Sequence, residues 1–127
     1  MPQTPTLFFA WWCPHCHHAL LSLKKAGLLE RFSFVSVFLT ARPTPEPIRG
    51  AASAWAVTED ALHKLGVHIP ENRLFVVLPN SPINSLIQRV PTLIARVHNR
   101  WYVMNGAPTH ANTWRILEKA MYPRNHV

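Results

Sequence analysis

The chain has 127 residues, 48% hydrophobic and 15% charged, a balance that fits one globular domain with its own core and excludes a disordered chain. No apolar run approaches the roughly 18 residues a membrane-spanning helix needs, so no membrane span is expected. The formal charge is +7 and the pI near 10.3, but the 13 Lys and Arg are scattered and Lys24-Lys25 is their only adjacent pair, so no nucleic-acid partner is expected.

Thr6 to Trp12 (TLFFAWW) is a short, bulky apolar run suited to a buried central strand. Pro14 stands where a first-turn helix proline belongs. Ala19, Leu20, Leu23, Ala26 and Leu28 or Leu29 then recur at helical spacing, with Gly27 near the end, predicting a helix over Cys16 to Leu29. Ser33 to Leu39 (SFVSVFL) is a second strand candidate. Arg42 to Pro47 (RPTPEP) cannot be helix interior and reads as a connector. Helical composition returns from about Ile48 to Leu65 and closes at Gly66.

Leu74 to Leu78 (LFVVL) stays open between two readings, since Pro70-Glu71 could start a helix while Phe-Val-Val favours a strand. Pro91 to Val97 and Trp101 to Asn105 flank His98-Asn99-Arg100, predicting a strand, a tight turn and a strand. Gly106 breaks the second strand, and Thr109 or Asn112 is placed to cap a last helix through about Met121. The expected order is β-α-β, an inserted helical segment, then β-β-α, with no internal repeat. Trp11, Trp55, Trp101 and Trp114 are expected to be core or half-buried.

Cys13 and Cys16 are the only cysteines and lie within WWCPHCHH, residues 11–18. Three positions apart, they close too small a loop to staple a fold, so their role is chemical. The bare pattern fits a redox dithiol, a c-type haem attachment site, or half of a zinc site. The haem reading needs His17 as axial ligand with Met104 or another His opposite. The zinc reading needs ligands from distant residues such as His63, His68, His98 or His110, because His17 and His18 project in other directions and read most simply as exposed helix positions.

The element order, with Cys-x-x-Cys at the first strand-to-helix junction and Val-Pro-Thr opening the hairpin, resembles the thioredoxin superfamily over essentially the whole chain. Cys13-Pro14-His15-Cys16 matches the tetrad of the DsbA-like oxidases, and Trp12 matches a tryptophan that often precedes the first cysteine. Val90-Pro91-Thr92 resembles the family's cis-proline loop, and Gly106 falls where a glycine usually follows the last strand. The inserted segment and the Asn-containing hairpin are more like the catalytic domain of the DsbC and DsbG isomerases. Those carry a further N-terminal dimerisation domain; with twelve residues before Cys13, that domain is expected to be absent here. Six residues before the first cysteine, where many members keep a buried Asp or Glu that moves protons, this chain has Leu7.

The resemblance implies an α/β thioredoxin fold, a central mixed sheet flanked by helices, as one domain over 1–127 with a helical insertion at about 45–88 before the cis-proline loop. It implies a thiol:disulfide oxidoreductase, oxidising in direction, with a reductase or isomerase as alternatives; a redox-inactive interaction module is the non-enzymatic one. Cys13 would be the nucleophile, favoured as thiolate by the N–H groups and dipole of the helix it opens. Cys16 would resolve, His15 would tune, and Pro14 would hold the turn. Val90, Pro91 and Trp12 would bind substrate, the loop offering its backbone to an extended peptide. No cofactor or metal is required. Expected partners are protein or peptide thiols and disulfides and a redox-recycling protein, with the chain a monomer. As written, the N-terminus carries no basic segment before an apolar one, which places the protein in the cytoplasm, or in the periplasm if the N-terminus has been trimmed.

Overall fold

A computed structural model describes residues 4–38, 50–78, 81–83, 87 and 89–122. Leu39, the Arg42–Pro47 connector and Ile48–Arg49, the expected start of the second helix, lie outside the described residues.

Strand β1 (Thr6–Phe9) is buried at every position, which is why its sequence is apolar without alternation. Helix α1 (Pro14–Ala26) starts at Pro14, whose missing N–H is at a position where the helix needs none. It ends at Gly27, whose φ of 74° is left-handed backbone that costs a Cβ-bearing residue free energy. Strand β2 (Ser33–Val37) follows, then α2 (Ala51–Leu65), closed in the same way by Gly66 at φ 70°. Lys24 Nζ donates to the Gly66 carbonyl at 2.6 Å, tying the ends of α1 and α2 together.

The insertion is not purely helical. After Pro70 comes one turn of 3-10 helix, Glu71–Arg73, and Leu74–Val77 is strand β3. Both sequence signals in this stretch were real: the proline started a turn and the β-branched run made a strand. Strands β4 (Thr92–Val97) and β5 (Arg100–Asn105) form the hairpin. Val97 pairs with Arg100, and His98 and Asn99 take φ of 52° and 66°, the two left-handed positions of a two-residue hairpin turn. Helix α3 (Ala111–Met121) is the last element among the described residues. Neither Thr109 nor Asn112 caps it. His110 is the N-cap and makes no side-chain cap bond, while Asn112 Oδ1 accepts from Arg115 Nη1. The capping residues flank the true cap by one and two positions, and the helix is held by packing instead.

The sheet order is β3-β2-β1-β4-β5, parallel between β1, β2 and β3 and antiparallel between β1, β4 and β5. Helices α1, α2 and α3 pack on one face, where Leu7, Phe9, Phe34 and Leu93 of the sheet meet Leu20 and Leu23 of α1, Leu62 of α2 and Trp114 of α3. Trp114 is fully buried. Its Nε1–H donates to Ser22 Oγ at 2.7 Å, and its ring meets Phe32 edge-on at 5.2 Å. The other face carries a smaller cluster of Phe8, Val35, Val37 and Ile87. Trp11, Trp12 and Trp55 are half-buried. Trp101, expected to be core or half-buried, is 43% exposed, because β5 is an edge strand whose residues are all exposed.

Helix α2 is pinned to β2 by a buried polar pair. Thr58 Oγ1 donates to the Ala54 carbonyl at 2.9 Å and so accepts, at 2.7 Å, from Ser36 Oγ, both residues being fully buried. Thr58→Val strands the Ser36 hydroxyl without a partner and is expected to cost ~1–3 kcal/mol in denaturant unfolding. The double variant Thr58→Val/Ser36→Ala removes both polar groups and should recover most of that loss; a double variant less stable than Thr58→Val would contradict this pairing.

Candidate active site

The end of β1 delivers the chain into a tight turn over Trp11 and Trp12, closed by Cys13 N–H donating to the Ala10 carbonyl at 3.2 Å. Cys13 is the N-cap of α1: its backbone is extended, φ −82° and ψ 114°, and its carbonyl accepts the first helical bond from His17 N–H at 3.0 Å. Its Sγ does what a cap oxygen does elsewhere, accepting the Cys16 N–H at 3.2 Å. That N–H is one of the helix's otherwise unpaired first-turn donors. A sulfur in this position sits against the positive end of the helix dipole.

Both cysteines are free thiols, and their surroundings differ. Cys13 keeps 5% of its surface and Cys16 none. Burial, followed by a hydrogen bond with the Cys13 side chain, pushes the Cys16 thiol far up from its usual range, so Cys16 is protonated across the neutral range.

Because β4 lies antiparallel beside β1, the residues just before it come to the Cys13 end of that strand. The Val90–Pro91 peptide is cis, and the Val90 carbonyl lies 3.8 Å from Cys13 Sγ. Two bonds brace this loop: Thr92 Oγ1 donates to the Arg89 carbonyl at 2.6 Å, and Gly106 N–H donates to the Pro91 carbonyl at 2.7 Å. Gly106 has φ 116°, backbone that favours glycine, so the residue that breaks β5 is also the one that ties its end to the loop.

No protein-family profile matches the sequence, and no curated protein does either. Solved structures do match. One is Mycobacterium tuberculosis DsbF in its mixed oxidized and reduced forms, at 16% identity and a TM-score of 0.53, covering 94% of this chain and 81% of that one. A secreted M. tuberculosis disulfide oxidoreductase homologous to E. coli DsbE aligns at 14% identity and a TM-score of 0.57, covering 95% and 81%. A Chlorobium tepidum protein given as the thiol:disulfide interchange protein DsbE aligns at 16% and 0.51, covering 90% and 77%. The chain has a thioredoxin fold.

On this fold the residues singled out in the sequence fall into two groups. Cys13, Cys16, Val90 and Pro91 converge at one end of β1. Pro14 and His15 are exposed at the helix start, and the His15 ring makes no hydrogen bond to either sulfur. Trp12 is half-buried beside Cys13. Leu7 is fully buried in the main core, so no proton carrier reaches the dithiol from that position.

His17 is not the exposed residue expected. It is half-buried, and its Nε2 lies 2.7 Å from the Trp11 carbonyl. A carbonyl only accepts, so Nε2 carries the proton and donates it, clamping the Trp11–Trp12 turn to the first turn of α1. Sequence spacing holds no signal for this bond, which depends on how the turn folds back. The same bond occupies the nitrogen a haem iron would need, and thioether anchoring would need both sulfurs accessible, whereas Cys16 is fully buried. Among the described residues, no three His, Cys, Asp or Glu side chains come together as a metal site. The zinc reading would therefore have no ligand beyond the two sulfurs among them.

A thiol held protonated in the folded protein but free to ionise when unfolded destabilises the fold once pH exceeds its ordinary value of 9.0, by up to about 1.4 kcal/mol per pH unit. Below that value the contribution is fully present. The reduced wild-type protein should therefore lose stability more steeply between pH 8 and 10 than Cys16→Ala does, as read from denaturant midpoints. Parallel pH curves for the two proteins would refute the buried, protonated Cys16.

Proposed function

We propose that the chain is a thiol:disulfide oxidoreductase that oxidises protein or peptide dithiols, with Cys13 as the sulfur that exchanges. The observation that carries this is Cys13 Sγ at the helix N-cap, 3.2 Å from the Cys16 N–H and 3.8 Å from the Val90 carbonyl of the cis loop. Two structures sharing the fold, the secreted M. tuberculosis protein homologous to DsbE and the C. tepidum DsbE, are described as a disulfide oxidoreductase and a thiol:disulfide interchange protein, which supports the reading.

In the oxidised protein a substrate thiolate attacks Cys13 Sγ. The Cys13–Cys16 bond breaks, its electron pair leaves on the Cys16 sulfur, which takes a proton, and a mixed disulfide joins Cys13 to substrate. With Leu7 where an acid would stand, that proton comes from water or a nearby histidine. Val90 and Pro91 hold the substrate as an added strand, with Trp12 at its flank. The substrate's second thiolate then attacks its own first sulfur and expels Cys13 as a thiolate, which the Cys16 N–H stabilises. Two electrons pass from the substrate dithiol to the pair Cys13 and Cys16, and a redox partner protein must take them up to restore the disulfide.

Two features favour the oxidising direction over reduction. Stabilising the Cys13 thiolate stabilises the reduced protein and so makes its disulfide the stronger oxidant. A protonated Cys16 is also slow to attack the mixed disulfide, leaving the substrate's second thiol time to complete its own bond.

Cys13→Ser should reduce the oxidation of a dithiol peptide, followed by the loss of its free thiols, to the uncatalysed rate. Given the peptide in its disulfide form, Cys16→Ser should trap a mixed disulfide, because the Cys13 thiolate opens the peptide's S–S bond and no second protein thiol releases it; a tryptic map should place the peptide on Cys13. Peptide oxidation that survives Cys13→Ser would refute the assignment.

A further inference from the structure

Next to the Trp11–Trp12 turn lies a cleft of about 510 Å³, of whose walls the exchange scheme above uses only Trp12. One wall is Trp11, Trp12 and His17 at the start of α1; the other is a flank of α2 that includes Ala56 and Ala61. We propose that this cleft receives an aromatic side chain of the polypeptide substrate, close in sequence to the reacting cysteine. The proposal rests on the dithiol-exchange reading above and adds a substrate preference to it.

The position is the first argument. Trp12 is covalently next to Cys13, and the His17 backbone N–H donates to the Cys13 carbonyl, so one wall of the cleft is built from the immediate chain neighbours of the reacting cysteine. It shares no lining residue with the Val90–Pro91 loop. A substrate whose cysteine is joined to Cys13 and whose backbone runs along Val90 therefore has neighbouring residues that reach the cleft.

The chemistry of the walls chooses the occupant. Trp11 and Trp12 line the cleft together with Ala56, Val57, Ala61 and Leu65 of α2, a largely apolar set. The volume is within the roughly 300–1,000 Å³ of pockets that take organic groups, and planar rings stack or meet edge-on with other aromatic rings. The charged residues at the wall, Asp60 and Lys64, form an ion pair with each other at 3.0 Å, so the cleft offers no net charge to an acidic or basic side chain.

The walls are also set in place before substrate arrives. His17 Nε2–H holds the Trp11–Trp12 turn at 2.7 Å, Lys24 joins α1 to the end of α2, and the Ser36–Thr58 pair fixes α2 on the sheet. A preformed pocket loses little free energy to ordering when it is filled.

Oxidation rates are measured for a set of dithiol peptides that differ at one position near the first cysteine, scanned over three residues on either side and bearing Phe, Ala, Glu or Lys. The wild-type protein is expected to oxidise the Phe peptide about tenfold faster than the Ala peptide at one of these positions. Ala56 is solvent-exposed on α2, so Ala56→Trp can fill the cleft without entering the core; it is expected to bring the Phe-to-Ala ratio toward one, while Ala56→Ser keeps it. A wild-type ratio near one at every position, a preference for Glu or Lys, or a Phe preference that survives Ala56→Trp each overturns the inference while leaving the dithiol chemistry standing. Failure of the wild-type protein to exchange with any peptide or with dithiothreitol is instead a failure of the proposed function, and the inference falls with it.

Discussion

A single hydrogen bond organises this protein, the one from the Cys16 N–H to Cys13 Sγ at 3.2 Å. It makes a sulfur the cap of a helix, and a cap is a place where backbone donors face outward with nothing inside the helix to accept them. The rest of the fold can be read as what is needed to put a sulfur there and bring the Val90–Pro91 loop beside it. A fully buried strand, β1, ends beside the cap; α1 must pack on the sheet so that its start is held; and β4 must run antiparallel to β1 so that Val90 and Pro91 arrive at the same end. Gly106 then ties the far end of the hairpin to the loop.

The same tetrad gives its two cysteines opposite characters. Cys13 meets backbone donors and retains a small exposed surface. Cys16, one turn inside the helix, points into the core with Leu20, Leu23 and Phe9 and loses its stabilising contact with water. Three residues of separation in sequence become a difference between a sulfur that accepts a backbone N–H at the helix cap and one whose burial resists charge.

Much of this was legible in the sequence because each signal had one physical cause. A proline after Cys13 with apolar residues at helical spacing reads as a helix start, and His98-Asn99-Arg100 between two strand-forming runs reads as a tight hairpin turn, which the structure narrows to His98-Asn99 with Arg100 in β5. The Val90-Pro91-Thr92 loop was legible through resemblance, since no local propensity separates a cis proline from a trans one at the start of a strand. Other features were hidden for stated reasons. A five-residue apolar run such as Leu74–Leu78 has no period to distinguish strand from helix, so the membership of β3 in the sheet depended on β2 being next to it. Two capping residues around His110 gave a cap signal where packing of Trp114 sets the helix. The His17 clamp and the cleft against α2 involve pairs that meet only once the turn and the insertion are folded, and nothing in their spacing announces them.

The central claim is that the helix start stabilises the charged sulfur of the reduced protein and thereby makes the disulfide oxidising. Its most direct test is the reduction potential of the Cys13/Cys16 couple, from equilibration with glutathione redox buffers. The account predicts a value clearly above thioredoxin's, approximately −270 mV, toward the roughly −120 mV of DsbA. A value at or below approximately −270 mV would contradict it and make the protein a reductant.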